Sequence, residues 1–451
     1  MVKITFFSLL ACAMATYVTA GGTNVSLAAL NEVPVDQASS TPVMKRMERM
    51  IVSRADAVNL RFPYGQEKVR GVSVGGWLVI ENFISPEIYQ SSGDNRVIDE
   101  WSFGKYVDHD KAVGILQPHF DNFITEQDFE EIASMGLNHV RVPFPYWGVK
   151  KYSNDPYIKL NQYDKLKEAA GWAKNHNLNM IIELHTVPGG ANPYDHGGHT
   201  NHSNFLNSAD NQGRALEVLD ILTTEFTKSK YSAVSGISLV NEPNGDVDTI
   251  RRFYQRGYNT VRGAEGSKNM LVIIGDAFNN PASSDYWSNK MQPPKYQGVG
   301  LDTHIYRLFD TTSIAMSQDQ RISYYCSLKK GFKNANQHLW SMVGEWSPVF
   351  TDCAPGLNGR FQGSRYEGKF PGSKRRGSCS GHTGNANQFS PAFIANLRKN
   401  WAAQADAFEA GLGWIMWTWK VSKHTADEWS YKAGVQHGWI PKDPTNRESP
   451  C

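Results

Sequence analysis

Eight short runs rich in β-branched and aromatic residues recur along this chain, and their rhythm constrains the fold more than any single motif. They read VRGVSVGGWLV (69–79), HVRVPF (139–144), NMIIELH (179–185), GISLVNEP (236–243), MLVIIGD (270–276), GVGLDTHIY (298–306), SMVGEWS (341–347) and GWIMWTWK (413–420). Several are near-continuous apolar stretches, as strands of a parallel sheet buried on both faces require. Helical patterns lie between them. TEQDFEEIASMG opens at a capping Thr125, has Asp128 three residues on and closes at Gly136. NQYDKLKEAAGWAKNHN and DNQGRALEVLDILTTEF carry helix-period apolar faces, and DTIRRFYQRGYNTVRG does so less cleanly. This alternation predicts an α/β chain whose residues 61–451 form a single (β/α)8 TIM barrel with long loops at its C-terminal face. A doubly wound sheet is the alternative, but no Gly-rich dinucleotide or phosphate loop follows the first strand.

The residues ahead of the barrel divide in two. MVKITFFSLLACAMATYVTA has one Lys, an apolar run from Ile4 to about Ala15 and a small-residue site, which predicts a signal peptide over 1–20. Residues 21–60 are polar and without a sustained period, an extension or a propeptide, and Lys45-Arg46 is either a processing site or two solvated charges. Removing the signal peptide takes away Cys12 and leaves Cys326, Cys353, Cys379 and Cys451. An even number of cysteines bound for an oxidising compartment predicts two disulfides, with three pairings open. No later apolar run is long enough to span a bilayer, and the polar end KDPTNRESPC argues against a lipid-anchor tail. The formal charge is only +2 and there is no basic block, so composition favours neither nucleic acid nor an anionic membrane as a partner. The expected product is a secreted monomer with sequons at Asn24 and Asn201.

Chemistry in such a barrel sits at the carboxyl ends of the strands. Those ends carry Arg141, His185, Asn241 with Glu242, His304 with Tyr306, Glu345 and Trp417. Each alone has a structural reading: Arg141 as a core ion pair, His185 as a hydrogen-bonded core histidine, Trp417 as packing. A charged group or ring nitrogen after an apolar run is costly to bury without a partner, so their recurrence at one edge points to a shared polar site. Glu242 and Glu345 matter most. Two carboxylates in one cleft are the machinery of glycoside hydrolysis, in which one protonates the leaving oxygen while the other attacks carbon or activates water. Arg141 beside one carboxylate would keep it ionised, and a drier position for the other would keep it protonated. An aromatic fraction of 12% with 13 Trp is also rich in the flat amphipathic faces a carbohydrate site uses.

RGVSVGGWL, LVNEP, DTHIY, VGEWS and WTWK, in this order, resemble glycoside hydrolase family 5, and within it the fungal-type exo-β-1,3-glucanase (glucan 1,3-β-glucosidase) branch. The likeness extends to FITEQDFEEIASMGLNHVRVPFPYW, to LNGRFQGSRYEG and to the terminal Cys, covering about residues 68–451. The resemblance implies that Glu242 is the acid/base, that Glu345 is the nucleophile and that configuration is retained. It further implies that Asn241 holds the sugar 2-hydroxyl, that Arg141, His304 and Tyr306 orient or charge-tune Glu345, and that His185 and Trp417 line the innermost subsite. Glu81, taken as the end of the first strand, matches a residue binding the terminal sugar's hydroxyls. For the cysteines it selects Cys326 with Cys451 and Cys353 with Cys379.

The segment YDHGGHTNH (194–202) places three histidines within seven positions. A Gly-rich loop without a nearby Cys is poorly suited to a fixed metal site, and neither metal nor cofactor is expected. The resemblance instead gives Tyr194 and Asp195 to the sugar, with Phe309 as a second aromatic at the cleft entrance. Tyr194 stands where the branch usually has Phe, and His196 where Asn is common. The expected partner is a β-glucan poly- or oligosaccharide. Its rivals are a related β-glycan specificity, such as β-1,6-glucan or a glucoside, glucan transglycosylation, and a glucan-binding wall protein without catalysis. Retention of both Glu242 and Glu345 argues against the last, because binding alone needs neither.

Overall fold

In the computed structural model, residues 59–451 are described; the expected signal peptide, most of the 21–60 extension, Asn24 and Lys45-Arg46 lie outside them. Eight parallel strands close into a barrel in sequence order: β1 (Val69–Ser73), β2 (His139–Pro145), β3 (Asn179–Thr186), β4 (Val234–Ser238), β5 (Leu271–Gly275), β6 (Val299–Ile305), β7 (Trp340–Trp346) and β8 (Gly413–Met416). The helix expected after Thr125 spans Glu126–Ser134 and has the reciprocal Thr125/Asp128 capping box. The other two clear helical patterns form Gln162–Asn175 and Ala209–Phe226, and the less regular one forms Val247–Gly263. The crossover from β5 to β6 departs from the alternation and holds only a 3₁₀ turn, Tyr286–Asn289. No described helix is long and apolar enough to cross a membrane.

The pleat sorts the strands into two faces. Outward residues such as Val140, Ile182, Val272, Val343 and Trp414 join the large core beneath the helices. Inward residues Val69, Ile181, Leu271, Ile273, Trp340, Met342 and Ile415, with Phe62 and Tyr64, form a separate apolar plug in the lower barrel. Two residues further along the same inward rows come the polar groups: Arg141 after His139, Glu183 and His185 after Ile181, and Asp302 with His304 on β6. The barrel interior is thus a packed apolar layer below and a polar layer above.

Strict alternation would turn Glu345 outward, since Trp340 and Met342 already face in. The ladder between β6 and β7 slips by one residue there, pairing Thr303 with Val343 and His304 with Glu345, so that Gly344 is bulged and Glu345 rotates inward. Gly344 donates its N–H to Asp302 Oδ1 at 2.7 Å, and a Cβ at this position would lie 2.2 Å from both Asp302 oxygens. The first strand also ends earlier than the sequence suggests. It stops at Ser73; beyond it Gly76 turns the chain at φ 69°, and Gly75 leaves room for the Trp417 indole, which a Cβ there would meet at 2.5 Å. Glu81 therefore stands in the loop after β1 and not at its end.

Two disulfides, Cys326–Cys451 and Cys353–Cys379, tie down the carboxyl terminus and the long loop after β7. Beside the second, Asp352 accepts from the backbone N–H groups of Arg365 and Tyr366 and from the Asn358 amide. The first closes a span of 125 residues, a length for which chain entropy gives a stabilisation of about 2 to 5 kcal/mol.

Glu428, in the 3₁₀ turn after β8, is fully buried, and burial pushes its carboxyl up to about 8. The folded state therefore holds a proton that the unfolded chain, at about 4.5, gives up. Glu428 costs no stability below about pH 4.5 and an increasing amount as pH rises towards 8. Glu428→Gln should unfold like the parent protein at pH 4.5 and be more stable by up to about 4 kcal/mol at pH 8, read from denaturant curves. A constant difference across that range would contradict the buried neutral carboxyl.

Candidate active site

The polar layer is organised around one guanidinium. Arg141 is 1% exposed, and its Nη2 lies 2.5 Å from Glu183 Oε1, 2.8 Å from Glu345 Oε1 and 3.1 Å from Asn241 Oδ1. Its Nη1 donates to Ser73 Oγ at 3.2 Å, and the group sits 5.8 Å from the Trp417 ring centre. Burial opposes its charge, but Glu183, Glu345 and Asp302 outweigh this and raise its proton affinity. Reciprocally, Glu183 is penalised by burial yet held below the usual carboxylate range by Arg141 and His185. His185 Nδ1 is 2.8 Å from Glu183 Oε2, and its ring lies parallel to Trp417 at 5.8 Å.

Glu345 has a second partner, the Tyr306 hydroxyl, which donates to Oε2 at 3.0 Å. Glu242 sits beyond the end of β4, where the backbone takes a left-handed φ of 40°, a costly conformation for a residue with a side chain. The Asn192 amide caps its carbonyl at 3.2 Å, and the Asn241 N–H binds Leu184 O at 3.0 Å. Donor atoms of Glu242, His304 and Glu345 all lie within 4.8 Å of one another. The same holds for Glu183, His185 and Glu345. Both groups are already compensated by Arg141, Tyr306 and the histidines, which makes them one hydrogen-bonded ion network and not vacant ligand sets.

His304, expected to orient or charge-tune Glu345, lies between the two carboxylates. Its Nδ1 lies 2.7 Å from Glu242 Oε1 and 3.6 Å from Glu345 Oε2, while Nε2 is 3.5 Å from Asp302 Oδ2. Burial opposes its charge, but Glu345, Asp302 and Glu242 raise its proton affinity well above the ordinary imidazole value. The carboxylate away from Arg141, expected to stay protonated in a drier position, is Glu242, and two influences oppose each other there. Burial pushes in that direction, yet the His304 hydrogen bond and charge, with His196 and His185, outweigh it and hold Glu242 low. Glu242 is thus lowered and His304 raised by the same 2.7 Å contact.

Around this pair lie buried polar atoms without a protein partner: Glu81 Oε1, His185 Nε2 and Asn241 Nδ2. Burial, with Asp195, Glu345 and Glu242 nearby, pushes Glu81 well above the carboxylate range. Asp195 is raised as well, mainly by burial. Tyr194 and Phe309 are 48% and 41% exposed, unlike the buried Trp417. Sequence reasoning missed Glu183 and Asp302, which anchor Arg141, His185, His304 and Gly344. The same signal, a charge inside an apolar run, marks both in NMIIELH and GVGLDTHIY.

A parallel barrel with two facing carboxylates at its C-terminal rim defines a glycoside hydrolase framework. A cellulase (glycosyl hydrolase family 5) model matches residues 108–352. Glucan 1,3-beta-glucosidase 2 of Wickerhamomyces anomalus is 35% identical over 425 residues, covering 92% of this chain and 96% of that protein. Glucan 1,3-beta-glucosidase of Blumeria graminis is 37% identical, covering 87% and 91%. In fold, the rutinosidase of Aspergillus niger superimposes with a TM-score of 0.65 at 19% identity, over 82% of this chain and 97% of that one. The chain belongs to glycosyl hydrolase family 5.

Replacing Arg141 by Met should take from Glu183 and Glu345 the guanidinium they share and destabilise the fold by about 3 to 5 kcal/mol in denaturant titrations. A loss below about 1 kcal/mol would show that the network does not depend on this guanidinium.

Proposed function

We propose that this chain is a secreted, retaining exo-β-1,3-glucanase that releases glucose from non-reducing ends of β-1,3-glucan by double displacement. The observation that carries the mechanism is the pair Glu242 and Glu345, with oxygens within 4.8 Å, one paired with Arg141 and the other with His304. Retaining enzymes hold their carboxyl groups about 5 Å apart, too close for a water between nucleophile and sugar.

In the first step a Glu345 oxygen, paired with Arg141 and oriented by the Tyr306 hydroxyl, attacks C1 of the terminal glucose. The C1–O bond breaks, its electron pair stays on the leaving oxygen, and that oxygen takes a proton from Glu242, the acid/base beside His304. Esterification removes the charge of Glu345, which had raised the proton affinity of its neighbours, so Glu242 turns from acid to base. It then takes a proton from water as water attacks C1, and the electron pair of the ester bond returns to Glu345. Two inversions give net retention.

Glu81, Asp195, His185 and Asn241 offer the hydroxyls of the terminal glucose their unpartnered or raised groups, over the flat face of Trp417. Tyr194 and Phe309, exposed where most large apolar side chains are buried, flank the leaving-group subsite. The relatives named glucan 1,3-beta-glucosidase support the linkage. Secretion is supported by the N-terminal apolar run and two disulfides, and the exposed Asn201 is open to glycosylation.

Early digestion of laminarin followed by proton NMR should give glucose alone, first as the β anomer. Glu345→Gly should lower turnover by at least about a thousandfold, and azide should restore it by forming α-glucosyl azide. Laminari-oligosaccharides as early products would refute exo action, and α-glucose as the first anomer would refute retention.

A further inference from the structure

The three histidines of the loop after β3 serve different ends. His199 stacks on Trp101 at 4.2 Å and 4°, and His202 lies on His199 at 4.7 Å, bracing the loop against the helix Glu100–Tyr106. His196 turns the other way, into the cleft. It lies in the 3₁₀ turn Asp195–Gly197, its N–H bonded to Asp195 Oδ1 at 3.1 Å. Its ring is stacked beside Tyr194 at 5.5 Å and tilted against His185 at 5.6 Å. Its Nε2 is 3.4 Å from Glu242 Oε2, while its Nδ1 is buried without a partner.

Each oxygen of Glu242 therefore faces its own imidazole nitrogen: Oε1 that of His304 on β6, Oε2 that of His196 on the β3 loop. Glu345 has Arg141 and Tyr306 as its closer partners and shares His304 with Glu242, at 3.6 Å. Double displacement needs only one group to poise Glu242, and His304 already does so at 2.7 Å. The additional nitrogen, fixed between two rings, has a geometric consequence. With the imidazole proton on Nε2, it would limit rotation of the carboxyl group and put a donor 3.4 Å from the oxygen on which negative charge develops as the proton departs.

We infer that His196 is a positioning residue for proton transfer by Glu242, and that it adapts the site to poor leaving groups such as a sugar alcohol. The inference rests on Glu242 being the acid/base. In the step concerned, the C1–O bond breaks, the leaving oxygen keeps the electron pair and gains the Glu242 proton, and the carboxylate left behind is stabilised by His196 Nε2–H. The benefit scales with how far the leaving group depends on protonation. It is large for a glucosyl hydroxyl and small for a dinitrophenolate, which departs without a proton.

Two variants separate the nitrogen from the ring. His196→Phe keeps the stacking with Tyr194 and His185 but has no donor, whereas His196→Gln places an amide nitrogen within reach of Oε2. On laminaritriose, His196→Phe should lower kcat/KM about 10- to 100-fold, in kcat with KM little changed, while kcat/KM on 2,4-dinitrophenyl β-glucoside changes less than about threefold. His196→Gln should recover activity on laminaritriose to within about fivefold of the parent enzyme. A packing role would lower both substrates alike together with the melting temperature, and Gln would not rescue it; either result, or no loss on laminaritriose, overturns the inference. Glu242→Ala run beside them keeps the two readings apart. If Glu242→Ala fails to discriminate between the substrates, the acid/base assignment itself falls; if it discriminates and His196→Phe does not, only the role of His196 falls.

Discussion

The site depends on a buried guanidinium that holds two carboxylates from different strands. Arg141 on β2 lies against Glu183 on β3 and Glu345 on β7, and through Asn241 it reaches the segment that carries Glu242. Desolvating three charges costs several kcal/mol per ion, which mutual attraction repays only when the geometry is good and the remaining polar atoms are satisfied. Ser73, His185 and Tyr306 supply those further hydrogen bonds. The ion network therefore does more than stabilise: it fixes where Glu345 stands and, through Asn241, the segment that carries Glu242.

Bringing Glu345 to this network requires a local exception to the β-sheet. The bulge at Gly344 reverses the facing of one residue, and the Asp302 carboxylate takes the N–H freed by it while filling the space a side chain would need. A second exception lies opposite, where Glu242 is held at φ 40°. Glu242 and Glu345 thus both sit on irregular backbone, braced by regular strands on either side. Strain of this kind persists only where surrounding structure over-determines it, here the Asn192 amide, the β6 ladder and the packed apolar plug below.

Much of this was legible in the sequence because burial on both faces leaves strands as apolar runs, and because polar residues within such runs are conspicuous. The eight strands, the capped helix after Thr125 and the inward set Arg141, His185, Asn241, Glu242, His304, Tyr306, Glu345 and Trp417 could be read that way. Glu183 and Asp302 were passed over although they interrupt their runs in the same manner, since neither stands at a run's end. The bulge has no signature beyond Gly344, and whether His304 serves Glu242 or Glu345 turns on a difference of 0.9 Å in space, between contacts of 2.7 and 3.6 Å. The opposed directions of His196 and His199 were equally unreadable. They depend on Trp101 and Glu242, which are distant in sequence from that loop.

The central claim, that Glu345 is the atom-bonding carboxylate and Glu242 its proton partner, is tested most directly by trapping the covalent intermediate. 2,4-Dinitrophenyl 2-deoxy-2-fluoro-β-glucoside slows both steps, and its good leaving group lets the first outrun the second. Intact-protein mass spectrometry should then show one fluoroglucosyl group per chain, and peptide mapping should place it on Glu345. A label on Glu183 or Glu242, or steady turnover without any covalent adduct, would contradict the assignment.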